Sequence, residues 1–244
     1  YLPAGFLLFA LMARGIGLEY RAEADGKRPW TKLFGWGSVA VTLAHGFLLG
    51  GILQGMAFAD GRFVGGRFDW FSPFTILVGV TLLCLYAMIG AAWLVLKTDG
   101  ELQNQARLWG IRYGSATVAM LVLVLGYIAL DGRLGFLVGR PGQAGFAPSF
   151  ILAMVAAVLC AALYFRALGK GWERRPLLYC AVMLAFVFAA FGGSLSPVIV
   201  PPGITAAMAA APAPMLRIML AVIGGLMPVL LFYNAYQYRV FSGK

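Results

Sequence analysis

Six runs of this chain, Phe34–Phe58, Pro73–Leu96, Tyr113–Leu130, Pro148–Phe165, Leu177–Val200 and Ile218–Tyr238, are long and apolar enough to cross a lipid bilayer. None has an ionised side chain in its interior. A hydrocarbon core about 30 Å thick needs roughly 20 helical residues. Strands of a membrane barrel would be about 10 residues long with alternating polarity, so continuous runs of twice that length specify helices. Only 11% of the 244 residues are charged, against about a quarter in a soluble domain. The chain cannot build a water-facing shell. The class expected is all-α: a polytopic membrane helical bundle forming a single transmembrane domain over residues 1–244.

A seventh segment, Tyr1–Ala13, is apolar but short. At about 1.5 Å per residue it covers about 20 Å, so it reads as the second half of a truncated helix. That gives about seven transmembrane segments in this chain and eight in the intact protein.

The net charge of +10 raises nucleic acid as a partner, but its distribution excludes that reading. Basic residues cluster in alternate connections: five in Arg14–Lys32, three in Lys97–Arg112, four in Arg166–Arg175 and two in the tail, Arg239 and Lys244. The opposite face carries Arg62, Arg67, Arg133, Arg140 and Arg217. By the positive-inside rule the richer face is cytoplasmic, as is the C-terminus. Trp30, Trp36, Trp70, Trp93, Trp109 and Trp172, with Tyr236 and Tyr238, sit mostly near span ends, the aromatic belt of a membrane interface.

Few residues have the means for chemistry. Cys84, Cys160 and Cys180 lie inside apolar spans without a C-x-x-C pair, and read as small buried hydrophobes. His45 is the only histidine. A transmembrane b-type haem takes two axial ligands, commonly His/His or His/Met; one histidine cannot supply a di-haem bundle, ligation with one of the ten methionines has no spacing that picks one, and a packing or water-contact histidine is the main reading. Gly46/Gly50 and Gly51/Gly55 form two G-x-x-x-G pairs, which allow close backbone approach, and Gln54 is placed to hydrogen-bond across such a contact or to meet a quinone carbonyl or lipid head group. The loop acids show no metal or general-acid spacing. Glu19, between Arg14 and Arg21 at a membrane edge, reads as a local ion pair, or alternatively as a proton entry point or subunit contact. Pro228 falls inside the last span and should bend it. The candidate helix-packing or subunit-contact residues are therefore Arg14, Glu19, Arg21, Gly46, Gly50, Gly51, Gln54 and Gly55, with no catalytic, cofactor-binding or metal residue expected.

Several strings carry a resemblance. Arg14-Gly-Ile-Gly-Leu-Glu-Tyr-Arg21 resembles the R-G-x-x-x-E-[FY]-R segment of subunit II of cytochrome bd-type quinol oxidases. Gly50-Gly-Ile-Leu-Gln-Gly55 is similar to that family's G-x-x-x-Q-G, and Arg62-Phe-Val-Gly-Gly-Arg-Phe-Asp-Trp-Phe-Ser-Pro-Phe74 to its outer loop and helix start. Trp93-Leu-Val-Leu-Lys-Thr-Asp-Gly-Glu-Leu102 resembles its W-L-x-x-K-T-x-G pattern. Pro197-Val-Ile-Val-Pro-Pro202 and Tyr233-Asn-Ala-Tyr-Gln-Tyr-Arg-Val-Phe-Ser-Gly-Lys244 resemble its last outer loop and C-terminus. The wording is most similar to the cyanide-insensitive branch, although Arg239 and Ser242 stand where that branch usually has Trp and Arg. The family's N-terminal D-G-F-D-L-G and W-D-G-N-E-x-W acidic motifs are not in this sequence, so no proton-path residue carries over.

The resemblance implies a non-haem subunit of a quinol:oxygen oxidoreductase in the bacterial cytoplasmic (inner) membrane. Its role would be assembly and stability of a haem-bearing subunit I, which holds b-type haem, with or without d-type haem, and the quinol site. It implies as partners that subunit, with or without a small third subunit, membrane lipid and quinone, and no nucleic acid. The competing class is a secondary transporter or permease. Transporters usually show intramembrane ionisable groups or broken helices around a central site, and only the Pro228 position hints at one.

Overall fold

A computed structural model describes residues 1–24, 26–55, 58–59, 62–131, 146–195, 198–200 and 204–240. Arg133 and Arg140, Pro197, Pro201 and Pro202 of the quoted strings, and the tail from 241 onward lie outside the described residues, as do the loop acids Asp25 and Asp60. The architecture is all-α. The long helices are α1 Leu2–Glu23, α2 Lys27–Gln54, α3 Pro73–Lys97, α4 Gly100–Leu130, α5 Phe146–Gly169, α6 Arg175–Leu195 and, after the single-turn α7 Ala206–Ala209, α8 Ala213–Val240. All seven long helices contain a stretch apolar enough to cross a membrane. Two antiparallel strand pairs sit between helices. They are β1 Phe58–Ala59 with β2 Arg62–Phe63, and β3 Val198–Val200 with β4 Ile204–Thr205.

The helices outrun the apolar runs. The chain does not break at Ala13: α1 continues through Arg14, Glu19 and Arg21 to Glu23 and reaches 22 residues, about 33 Å. Polar side chains at the membrane edge are good helix formers, so hydropathy marks the lipid-facing part of a helix and not its end. For the same reason α4 starts at Gly100, thirteen residues before its apolar run. In the other direction α6 stops at Leu195, and Val198–Val200, expected as helix, is strand. Pro228 lies within a continuous α8.

Local chemistry fixes the ends. Ser72 caps α3: its Oγ accepts from Thr75 N at 3.2 Å, Thr75 Oγ1 accepts from Ser72 N at 2.9 Å, and Pro73 takes the first helical position, where its missing N–H costs nothing. At the far end Gln103 Nε2 donates to the carbonyls of Val95 (3.0 Å) and Thr98 (2.8 Å), satisfying acceptors the α3 terminus leaves open. Gly55 ends α2 with φ 83° and Gly171 follows α5 with φ 75°, conformations that favour glycine.

Helices α3 to α6 form a four-helix bundle with two apolar layers. Toward the end bearing Lys97 lie Leu85, Met88, Ala92 and Val95 of α3, Ala106 of α4, Ala157, Cys160, Tyr164 and Leu168 of α5, and Cys180 and Met183 of α6. The second layer joins Phe74 and Val78 to Val124, Ile128, Phe150 and Ala190, with Leu49 and Leu53 of α2 packed against it. The α1–α2 hairpin lies along α3 through α2. Helix α8 has no buried residue and meets the rest mainly at its C-terminal end, where Tyr238 approaches Trp93 edge-on at 6.5 Å.

Candidate helix-packing site

Because lipid tails are as apolar as leucine, membrane helices associate through close packing and interhelical hydrogen bonds. The candidate residues sort cleanly by that standard. Gly46 sits where α2 crosses α3. A Cβ there would collide with Gly79 Cα and lie 2.7 Å from Gly79 N. One turn on, a Cβ on Gly50 would lie 2.9 Å from Thr75 Cα. At the end of the same line Ser72 Oγ donates to Gln54 Oε1 at 2.7 Å, tying the last residue of α2 to the cap of α3. Gly46, Gly50 and Gln54 thus form one four-residue-spaced stripe facing α3.

Among the described residues the second glycine pair does not pack on α3. A Cβ on Gly51 would meet nothing within 4 Å. It stands about 100° around the helix from Gly50, away from α3. Gly55 terminates α2 instead, its N–H donating to Ile52 O at 3.1 Å. The two overlapping G-x-x-x-G frames cannot both face one neighbour, and α3 takes the first.

Arg14, Glu19 and Arg21 are exposed near the C-terminal end of α1. Arg14 places its guanidinium over the Phe34 ring at 5.3 Å. Among the described residues Glu19 has no ion-pair partner. Arg14 thus lies at the α1–α2 contact, which two glycines close: a Cβ on Gly17 would lie 2.7 Å from Phe34 N, and one on Gly37 would lie 3.0 Å from Arg14 N. Gly17 stands within the Arg14–Arg21 string and Gly37 outside every quoted string, and neither has the G-x-x-x-G frame. Gly110 and Gly114 of α4 have that frame. They seat Tyr164 of α5, whose hydroxyl donates to Gly110 O at 3.2 Å.

The buried polar residues of the described chain are Thr42, Thr75, Thr81 and Thr117. Each hydroxyl donates to a carbonyl of its own helix or cap, those of Ser38, Ser72, Leu77 and Tyr113, at 2.7–2.9 Å. Among the described residues, His45 Nδ1 and Trp70 Nε1 are the buried side-chain polar atoms left without a partner. The donor set does not supply a bis-histidine haem. His45 is the one histidine of the sequence, and it stands between fully buried Ala44 and Gly46, where backbones touch. No group of three His, Cys, Asp or Glu side chains converges among the described residues.

The profile of the family described as cytochrome bd terminal oxidase subunit II matches residues 1–241. The chain belongs to that family. It is 29% identical over 205 residues to the probable cytochrome oxidase subunit 2 of Haemophilus influenzae, covering 80% of this chain and 52% of that protein. It is 30% identical over 177 residues to the cytochrome bd ubiquinol oxidase subunit 2 of Bacillus subtilis, covering 70% and 51%. The chain therefore spans about half the length of these curated relatives. Its fold is similar to a chain of the bd oxidase from Geobacillus thermodenitrificans, with a TM-score of 0.75 and 18% identity over 99% of this chain and 74% of that one. Gly50 and Gln54 of the stripe belong to the Gly50–Gly55 string, and Gly46 lies one turn before it.

Proposed function

We propose that this subunit II chain is the haem-free partner in a membrane quinol:oxygen oxidoreductase, where it supports assembly and stability of a haem-bearing subunit I in aerobic respiration. The observation that carries the reading is the family match along residues 1–241. The chemistry of the chain agrees with it. Its buried hydroxyls are committed to backbone carbonyls, and its interhelical contacts include glycine crossings, the Gln54–Ser72 link and bonds from Gln103, Arg107 and Tyr164 to backbone carbonyls of a neighbouring helix or its end. Such a bundle is built to hold shape. In this reading electrons pass from quinol to dioxygen at b-type haem, with or without d-type haem, in subunit I. The present chain acts as a single transmembrane domain in the bacterial cytoplasmic membrane, its basic ends and C-terminus inside. Exposed apolar side chains on every long helix suit lipid, quinone tails and the partner subunit, with or without a small third one. Glu19, Arg14 and Arg21, exposed at the edge of α1, are the subunit-contact candidates.

Expression of the full-length protein with and without the neighbouring subunit tests this. The expected result is no haem spectrum from the chain alone, and a quinol oxidase whose haem content and turnover depend on it when paired. A haem spectrum from this chain alone, or an equally stable oxidase without it, overturns the reading. Solute uptake into liposomes by the lone chain would point to a transporter instead.

A further inference from the structure

We infer that the α5–α6 connection, residues 166–175, is a binding site for the head group of an anionic membrane phospholipid. Four basic side chains, Arg166, Lys170, Arg174 and Arg175, face one acid, Glu173, in this segment, and all five are exposed. Among the described residues none of the four is neutralised by an ion pair.

The segment is held in place before any ligand arrives. Helix α5 closes with Trp172 N bonded to Ala167 O (3.1 Å) and Gly171 N to Leu168 O (3.2 Å) around the left-handed Gly171, a Schellman ending. From α4, the Arg107 guanidinium then donates to the carbonyls of Gly171 (2.7 Å), Trp172 (3.2 Å) and Leu168 (3.4 Å). The carbonyls at this end of α5, which would otherwise attract the connection's own cations, are thereby occupied. Trp172 carries Arg175 at 3.8 Å and Lys170 at 5.4 Å from its ring centroid, fixing both heads at the level of an interfacial indole.

The next helix adds the same sign. Arg174 and Arg175 open α6, whose first turn has no acid, where the helix dipole is positive and cations are unfavourable. An arrangement that repels itself is relieved by an anion from outside. One turn into the membrane, Leu159, Leu163 and Leu178 are exposed, so a ligand with a phosphate above and acyl chains below matches both levels. Basic pockets between membrane helices on the cytoplasmic side are known to take such head groups. The inference needs only the membrane placement and not the oxidase reading.

The test is lipid retention by the full-length protein in phosphatidylcholine nanodiscs containing phosphatidylglycerol as the minor component, quantified by mass spectrometry across a salt series. R166Q/K170Q/R174Q removes three cations and leaves the Arg175–Trp172 stack intact. Affinity for phosphatidylglycerol should fall by about fivefold per charge, on the order of a hundredfold in all, while unfolding in pure phosphatidylcholine is unchanged. K27Q/R28Q/K32Q removes the same charge from the exposed start of α2 and should leave retention as it was. Equal loss in both variants, or loss in neither, overturns the inference. So does full displacement of the lipid by inorganic phosphate, which would make the ligand a soluble anion.

Discussion

Replacing Gly46 by Ala tests the crossing of α2 and α3 with a single methyl group. With the helices fixed, that methyl collides with Gly79 Cα, lies 2.7 Å from Gly79 N and 3.3 Å from Val78 C. These are backbone atoms, so no rotamer change relieves the contact. Carbon pairs settle at about 3.5–4.0 Å, and α2 must therefore move off α3 by on the order of 1 Å. A gap of that size forfeits about a quarter to a half of each dispersion well across the contact. It also stretches the Gln54–Ser72 hydrogen bond at the end of the same stripe. Overpacking of this kind costs about 1–3 kcal/mol, which for a chain of this size corresponds to a Tm lower by about 2–12 °C. The internal control is Gly51→Ala, five residues on, whose methyl meets nothing within 4 Å. It should leave Tm unchanged or slightly raised, since Ala favours helix over Gly by about 0.5–1 kcal/mol. Gly79→Ala should fall between the two, because its methyl meets the movable end of Leu43 (Cδ2 at 3.3 Å). Tryptophan-fluorescence melts of the three variants in nanodiscs decide it. If G46A melts with wild type, or G51A falls as far as G46A, the crossing described here is wrong.

Three further outcomes follow from the same geometry. A double-mutant cycle on Gln54→Leu and Ser72→Ala should give a coupling of about 0.6 kcal/mol, at most about 1.7, with S72A the costlier single change because it also removes an N-cap worth about 0.5–2 kcal/mol; zero coupling in the melts would show the two side chains do not meet. Arg107→Ala should cost about 1.5–3 kcal/mol through loss of charge-assisted bonds to three carbonyls, and Arg107→Lys should recover only part, since an ammonium cannot reproduce the guanidinium fork. A wild-type melt for R107K would refute the clamp. His45→Ala should leave the haem content of the assembled oxidase unchanged in its absorption spectrum, and loss of a haem band would overturn the donor-set argument.

How far the sequence discloses this structure depends on which force sets each feature. The number and placement of the long helices were legible because hydropathy reports lipid contact directly. Helix ends were not, because α4 and α1 extend through polar residues that hydropathy scores as loop. Ser72-Pro73 is the exception, a cap whose chemistry is written in two adjacent letters. Among the glycines, spacing alone flagged Gly46, Gly50, Gly51 and Gly55 alike. Rotation about the helix separates them, and only the position of α3 selects the first pair. Gly17 and Gly37 carry the α1–α2 contact without a G-x-x-x-G frame, so no spacing rule finds them. Gly110 and Gly114 do have the frame, which was a signal available to sequence reading. The Arg107 clamp joins residues more than sixty positions apart and leaves no local trace.

The polar groups of the interior bear on the proposed scaffold role. A threonine inside a membrane helix can bond its own carbonyls or reach across to a neighbour, a substrate or a proton carrier. Here the four buried threonines donate inward, to the backbone of their own helix or cap. That choice satisfies each hydroxyl locally and leaves helix-to-helix adhesion to the Gly46–Gly79 crossing, the Gly17 and Gly37 contacts and the Tyr164 seat. Adhesion through backbone shape is insensitive to charge and protonation, so it holds a fixed geometry, as the proposed scaffold role requires. The two buried atoms that lack a partner among the described residues, His45 Nδ1 and Trp70 Nε1, are the places where that insulation is open. His45 is the one of them whose ring can both donate and accept a hydrogen bond. If the interior of this chain were a proton path rather than a scaffold, H45A would slow turnover while leaving haem content and Tm intact. The scaffold reading requires all three to stay together.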